Sequence, residues 1–382
     1  MIRTIFLLSP IYVTFIWFVA LLGNQTRNNV PRIILGQVMF LSFLIYLAHF
    51  FYFDRFPAIY PYFDSILQFS SLLVFPLYYI YFRLLTVDEV FSIKVHTKFI
   101  ILPIIVSLCY GIAVLVTPRV EYRAWLYNND AYARSPQIQF LVGLRYVIKI
   151  VYLFQVVTSV TTNYFLLKKY REKIEQFYSN IEDGKYHNAK MLNASIIVMG
   201  ITAFVFTILG RYSIMPLNKF MYFGWTIFSA TLFIIGYMGI KQRPVIPAYE
   251  SLSADDGVNH PINITEGAHK KILYKLLLEF NQKKIYLNSE LNIMDVVEAV
   301  GSNRTYISLI INEYYNQNFC SFVNSHRIEE LEHVLKLNPE YPNNTLAELC
   351  GFGSINSMKR AVLANTGLSL VDWKIKMLVD SL

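Results

Sequence analysis

Charge is scarce in this sequence. Of its 382 residues only 16% are Asp, Glu, Lys or Arg, against 55% apolar and 16% aromatic residues. That balance is too greasy for a soluble chain of this length and sets the expectation of a membrane protein. Cysteine is almost absent. Cys109 lies in an apolar run, and Cys320 and Cys350 have no second Cys or His at ligand spacing. A disulfide scaffold and a zinc site are therefore excluded, and three buried thiols are expected. No Ser/His/Asp, Cys/His, paired-carboxylate, phosphate-loop or metal-spacing constellation occurs, so neither an enzyme nor a cofactor is expected. Acidic residues are short mainly in the first part. Residues 1–243 carry 22 Lys/Arg against 10 Asp/Glu, whereas 266–382 carry 12 against 13. The basic excess thus belongs to the apolar part and does not itself indicate a nucleic-acid partner.

What is abundant is long apolar runs. Seven are long enough to cross a hydrocarbon core, at residues 5–22, 33–53, 66–82, 99–116, 146–167, 191–209 and 220–240. Pro31, Pro61, Pro118, Pro136 and Pro216 fall near the junctions, while Pro76 and Pro103 lie inside runs and predict kinks. The first run reads as an uncleaved anchor, because Arg3 alone is a weak basic start and no small-x-small cleavage site follows. Placing the C-terminus in the cytoplasm puts 13 Lys/Arg in the inner segments and 7 in the outer ones, so the N-terminus is expected outside.

Polar residues inside the runs are few. Arg145 and Lys149 stand one turn apart in the fifth. Such a pair can snorkel to headgroups, or it can meet an anionic ligand or Asp64 of a neighbouring helix. His49 reads as a packing residue. The outer connection 117–139 carries Arg123 and Trp125 among other charges and aromatics, which suits a small-molecule site and equally an interfacial belt. Arg145, Lys149, Arg123 and Trp125 are the candidate ligand-sensing set. Residues 168–190 read as a solvated helical extension of the fifth run.

Composition shifts after Lys241. Residues 241–265, with Pro244, Pro247, Ser251, Ser253, Gly257 and Pro261, read as a flexible tether too soft to transmit torque. Control through oligomerisation is the expected coupling. Residues 266–382 then show helical spacing and an internal repeat: DVVEAVG at 295–301 matches TLAELCG at 345–351. Thr345 and Glu348 have capping-box spacing. One residue further out of step, Ile307, Ile310 and Ile311 match Met358, Ala361 and Val362 as buried faces, and Asn316 matches Gly367 as a left-handed stop. The outward positions are expected to be Arg304, Thr305, Ser308 and Leu309 in the first copy and Ile355, Asn356, Lys359 and Arg360 in the second. One helix over 319–337 joins them, ended by Asn338 and Pro339. The fold class expected is all-α: a seven-helix transmembrane bundle (1–240), a linker (241–265) and a helical domain with two helix-turn-helix subdomains (266–382).

Residues 268–376 resemble the AraC/XylS family of bacterial regulators. The likeness rests on IMDVVEAVGSNRTYIS, on Arg327-Ile328, and on AELCGFGS followed by NTGLSLVDWK. It implies two reading helices, about 304–314 and 355–364, in successive major grooves of double-stranded promoter DNA, with Arg327 structural. The DNA-binding residues expected are Arg304, Thr305, Ser308, Ile355, Asn356, Lys359 and Arg360. Leu309 stands where such proteins carry Arg, and Lys pairs are missing near Asn312-Glu313 and Leu363-Ala364. Each lost cation removes a phosphate contact, so a homodimer is expected to be needed for binding. Together with the seven apolar runs, the resemblance implies a multi-pass protein of the bacterial inner membrane that couples an extracytoplasmic or intramembrane signal to promoter control. Besides DNA, the lipid bilayer, RNA polymerase and a small-molecule ligand are the expected partners. The competing reading is a transporter or receptor whose tail docks a protein.

Overall fold

Among the described residues seven helices are long and apolar enough to cross a membrane, the number expected from the apolar runs. The computed structural model describes residues 2–23, 29–54, 56–87, 91–127, 135–180, 185–214, 218–241 and 266–379. The expected tether therefore lies outside the described residues apart from Lys241. Among the described residues the chain is helical, with one isolated antiparallel bridge between Tyr178 and Asn292. Its contacts divide into two compact units, Met1–Lys168 with Asn188–Val245, and Lys169–His187 with Ile246–Leu382.

The first unit holds α1 (Ile2–Gly23), α2 (Val30–Phe53), α3 (Tyr60–Thr86), α4 (Ile93–His96), α5 (Lys98–Val116), α6 (Arg119–Leu126), most of α7 (Pro136–Phe177), most of α8 (Lys185–Ile214) and α9 (Asn218–Lys241). α1 packs on α2 and α9, α2 on α3, and α3 on α5. Small residues allow close approach where helices cannot gain from water exclusion. A β-carbon on Gly236 of α9 would lie 2.3 Å from the Trp17 ring of α1. Pro10, Pro76 and Pro103 are all accommodated inside helices. Cys109 is exposed on the outside of α5, against the expectation of a buried thiol, because most of this helix faces away from its neighbours.

The second unit holds α10 (Glu266–Asn281), a short 3-10 turn (Ile285–Leu287), α11 (Ile293–Val300), α12 (Arg304–Tyr315), α13 (Phe319–Leu337), α14 (Asn343–Leu349), α15 (Ile355–Thr366) and α16 (Leu370–Val379). Two cores form. Leu276, Phe280, Val296, Val300, Ile307, Ile310, Ile311 and Phe322 share the first, and Leu331, Leu335, Leu346, Met358, Val362 and Trp373 share the second. α13 supplies both, its first half to one and its second half to the other.

Local chemistry explains the helix boundaries. Asn303, Asn318 and Ser354 cap α12, α13 and α15 by accepting backbone N–H groups of their first turns. A reciprocal capping box joins Asn292 and Asp295 at α11. The box expected at Thr345 and Glu348 is not formed. α14 starts earlier, behind Pro342, which places Thr345 inside the helix. Gly301, Gly351, Asn316 and Gly367 all take left-handed backbone, at φ 66°, 76°, 53° and 72°, so both copies end their helices at matching positions.

Candidate functional site

The repeated helix pairs place the sequence-derived residues as follows. Ile307, Ile310 and Ile311 are buried in α12, as are Met358, Ala361 and Val362 in α15. Thr305, Asn356, Lys359 and Arg360 are exposed, and Ser308 is half-buried. Arg360 Nε donates to the Asn356 carbonyl at 3.2 Å. Four of the positions expected to point outward, Arg304, Ser308, Leu309 and Ile355, are half-buried. Ile355 packs against the second core. For Arg304 and Ile355 the reason is helical spacing. Residue 304 precedes Ile307 and Ile311 by three and seven, and residue 355 precedes Met358 and Val362 by the same steps, so both lie on the inner stripe.

The Arg304 guanidinium lies 5.0 Å above the ring of Phe177. This contact belongs to a feature that sequence reading missed. Residues 169–187 belong to the second unit, and they are not a solvated extension throughout. Ile174, Phe177, Ser179 and Asn180 are buried. Phe177 joins the first core. The Ser179 N–H donates to Leu291 O at 3.1 Å. The Asn180 side chain accepts from Ser357 Oγ at 3.2 Å, at the start of α15. Arg327, fully buried in α13, donates to Tyr286 O and Asn288 O, each at 2.7 Å, and to Ser179 Oγ at 3.1 Å and Ser179 O at 3.4 Å. Burial lowers this guanidinium to about 10, which leaves it charged at neutral pH with its donors met by neutral oxygens. Burial pushes the neighbouring Cys320 thiol up to about 12, with Glu175 adding to the effect, which favours the neutral thiol. Phe177 and the residues just after α7, Ser179 and Asn180, thus reach α12, α13 and α15.

In the first unit, Arg145 turns inward instead of snorkelling. Its Nη2 lies 2.8 Å from both oxygens of Asp64, which is wholly buried. Asp64 also accepts from the hydroxyls of Tyr60, Tyr110 and Tyr122 at 2.8, 2.5 and 2.8 Å. The Arg145 guanidinium lies 4.1 Å above the Trp125 ring. Four elements, α3, α5, α6 and α7, are tied at this point. Arg123 is exposed on α6 and does not join the cluster. Beside it is a cavity of about 500 Å³, lined by Arg145 and Lys149 of α7, His49 of α2, Gln68 of α3 and Trp225 of α9, among others.

Comparison of the chain with protein-family models, with curated proteins and with solved structures gives no match. The exposed Asn, Lys and Arg of α15 can bond base edges or phosphates, and Thr305 and Ser308 of α12 can do the same. A buried, four-donor carboxylate is a structural tie: its lone pairs are occupied, and it has none to offer a substrate.

Proposed function

We propose that this chain is a membrane-bound, sequence-specific DNA-binding regulator of transcription, with α11–α12 and α14–α15 acting as two helix-turn-helix readers on the cytoplasmic side of a bacterial inner membrane. The observation that carries the reading is the repetition. Equivalent residues are buried in α12 and α15, equivalent turns are left-handed, and one 19-residue helix joins the pairs. At 1.5 Å per residue that helix spans about 28 Å, close to the roughly 34 Å of one DNA turn. The reading surface is formed by matched positions: Thr305 with Asn356, Ser308 with Lys359, and Leu309 with Arg360. Arg304 and Ile355 stand at its inner edge. A homodimer and a contact with RNA polymerase complete the proposal.

Coupling runs through α7. This helix is continuous from Pro136 to Phe177, carries Arg145 and Lys149 in its span, and ends in the segment that touches both readers. The test is selection of double-stranded DNA from a random library by the full chain in lipid nanodiscs. The expected result is an enriched motif with two half-sites about one turn apart. Lys359→Ala and Arg360→Ala together should weaken binding to that motif at least tenfold, at about 1–3 kcal/mol for a good bidentate contact. No enrichment, or an enrichment indifferent to both changes, would reject the reading.

A further inference from the structure

The sensing half of that reading can be given a chemistry. We propose that the cavity among α2, α3, α7, α8 and α9 binds a singly charged organic carboxylate with an apolar body, its head on Lys149. The charge arithmetic comes first. Two cations line the cavity, and no Asp or Glu does. Arg145 is already matched by Asp64 at 2.8 Å. Lys149 has no ion-pair or hydrogen-bond partner among the described residues, although it lies within an apolar helix of the bundle. An ammonium in such surroundings is costly and demands a counter-charge. One unmatched cation calls for one negative charge, which favours a carboxylate over a doubly charged phosphate.

The rest of the lining fits an amphipathic molecule. Phe75, Phe206, Phe228 and Met199 offer an apolar wall. Trp225 and Tyr152 add aromatic surface to the lining. The volume, about 500 Å³, lies in the range of small-molecule sites, roughly 300–1,000 Å³. The carboxylate could enter from the bilayer as a fatty acid or from water as a short aromatic acid, and the head chemistry is shared. This inference deepens the proposed sensor, but its test involves no DNA, so its failure would leave the DNA-binding proposal standing.

The experiment is equilibrium binding of radiolabelled probes to the full chain in phosphatidylcholine nanodiscs, corrected against empty discs. Dodecanoate and 4-phenylbutyrate represent the two sources, with dodecanol and dodecylamine as neutral and cationic controls. At least one carboxylate should bind tenfold or more tighter than dodecanol, and the amine weakest. Whichever carboxylate binds better identifies the source. Lys149→Met should erase the margin over dodecanol, and Lys149→Arg should keep it. Carboxylate no tighter than alcohol in the native chain, or a margin unmoved by Lys149→Met, would overturn the proposal and leave Lys149 as a snorkelling residue.

Discussion

Asp64 accepts from three tyrosine hydroxyls and one guanidinium while showing no surface. Removing one member of such a buried pair leaves the other charge uncompensated, at a cost of about 3–5 kcal/mol. Asp64→Ala should therefore lower the unfolding temperature in detergent sharply, and Asp64→Asn with Arg145→Met should recover part of the loss; equal melting of single and double variants would contradict the tie. A second residue gives a pH dependence. The His326 ring lies among Phe280, Tyr286 and Phe322, with centroids 4.9 to 5.6 Å away, and its Nε2 is buried without a partner. Burial holds its pKa below the ordinary 6.5, opposed by Glu329 at 3.6 Å. The unfolded chain thus binds the proton more readily, so stability is full above 6.5 and falls as pH drops through the folded value. Melting of the second unit should fall between pH 7.5 and 5.5, and His326→Phe should flatten that slope. The Asp64–Arg145 contact was legible as one of two readings, since a lone acid and a base in apolar runs seek each other. The three tyrosines were not, because nothing in their spacing sets them apart from the 28 in the chain.

At the scale of elements, the end of α7 bears most on the mechanism. Phe177 is buried in the first core and faces Arg304, so Phe177→Ala should cost about 3–5 kcal/mol. Hydrogen exchange of residues 170–180 should accelerate in that variant, as should exchange of α12; unchanged protection of both would show that the docked segment is incidental. The connecting helix 319–337 was legible to the residue, because a 3.6-residue stripe and the caps Asn318 and Asn338 bound α13 locally. The docked segment was not. Its partners lie more than 100 residues away, and Tyr178-Ser179-Asn180 carries no Gly or Pro to mark the end of a helix. Arg304 and Ile355 were misplaced for a different reason. The matched repeat copies and the family resemblance assigned them outward, although their spacing to Ile307 and Met358 already put them on the inner stripe. Thr345 shows the same hazard, since capping-box spacing alone did not locate the start of α14 behind Pro342.

Among the described residues the molecule holds seven long apolar helices and, in its second compact unit, two matched helix pairs braced by residues 174–180. Residues 266–382 carry 12 Lys/Arg against 13 Asp/Glu, so non-specific attraction to phosphate is weak and binding depends on the few side chains of the reading surface and on dimer formation. The most direct measurement is crosslinking of the full chain to chromosomal DNA in cells that carry it, followed by sequencing of the bound fragments, with Lys359→Ala/Arg360→Ala as the comparison. The account predicts a small set of discrete sites that vanish in the double variant while the protein stays in the membrane fraction. A flat, variant-independent background from a membrane-inserted chain would contradict it.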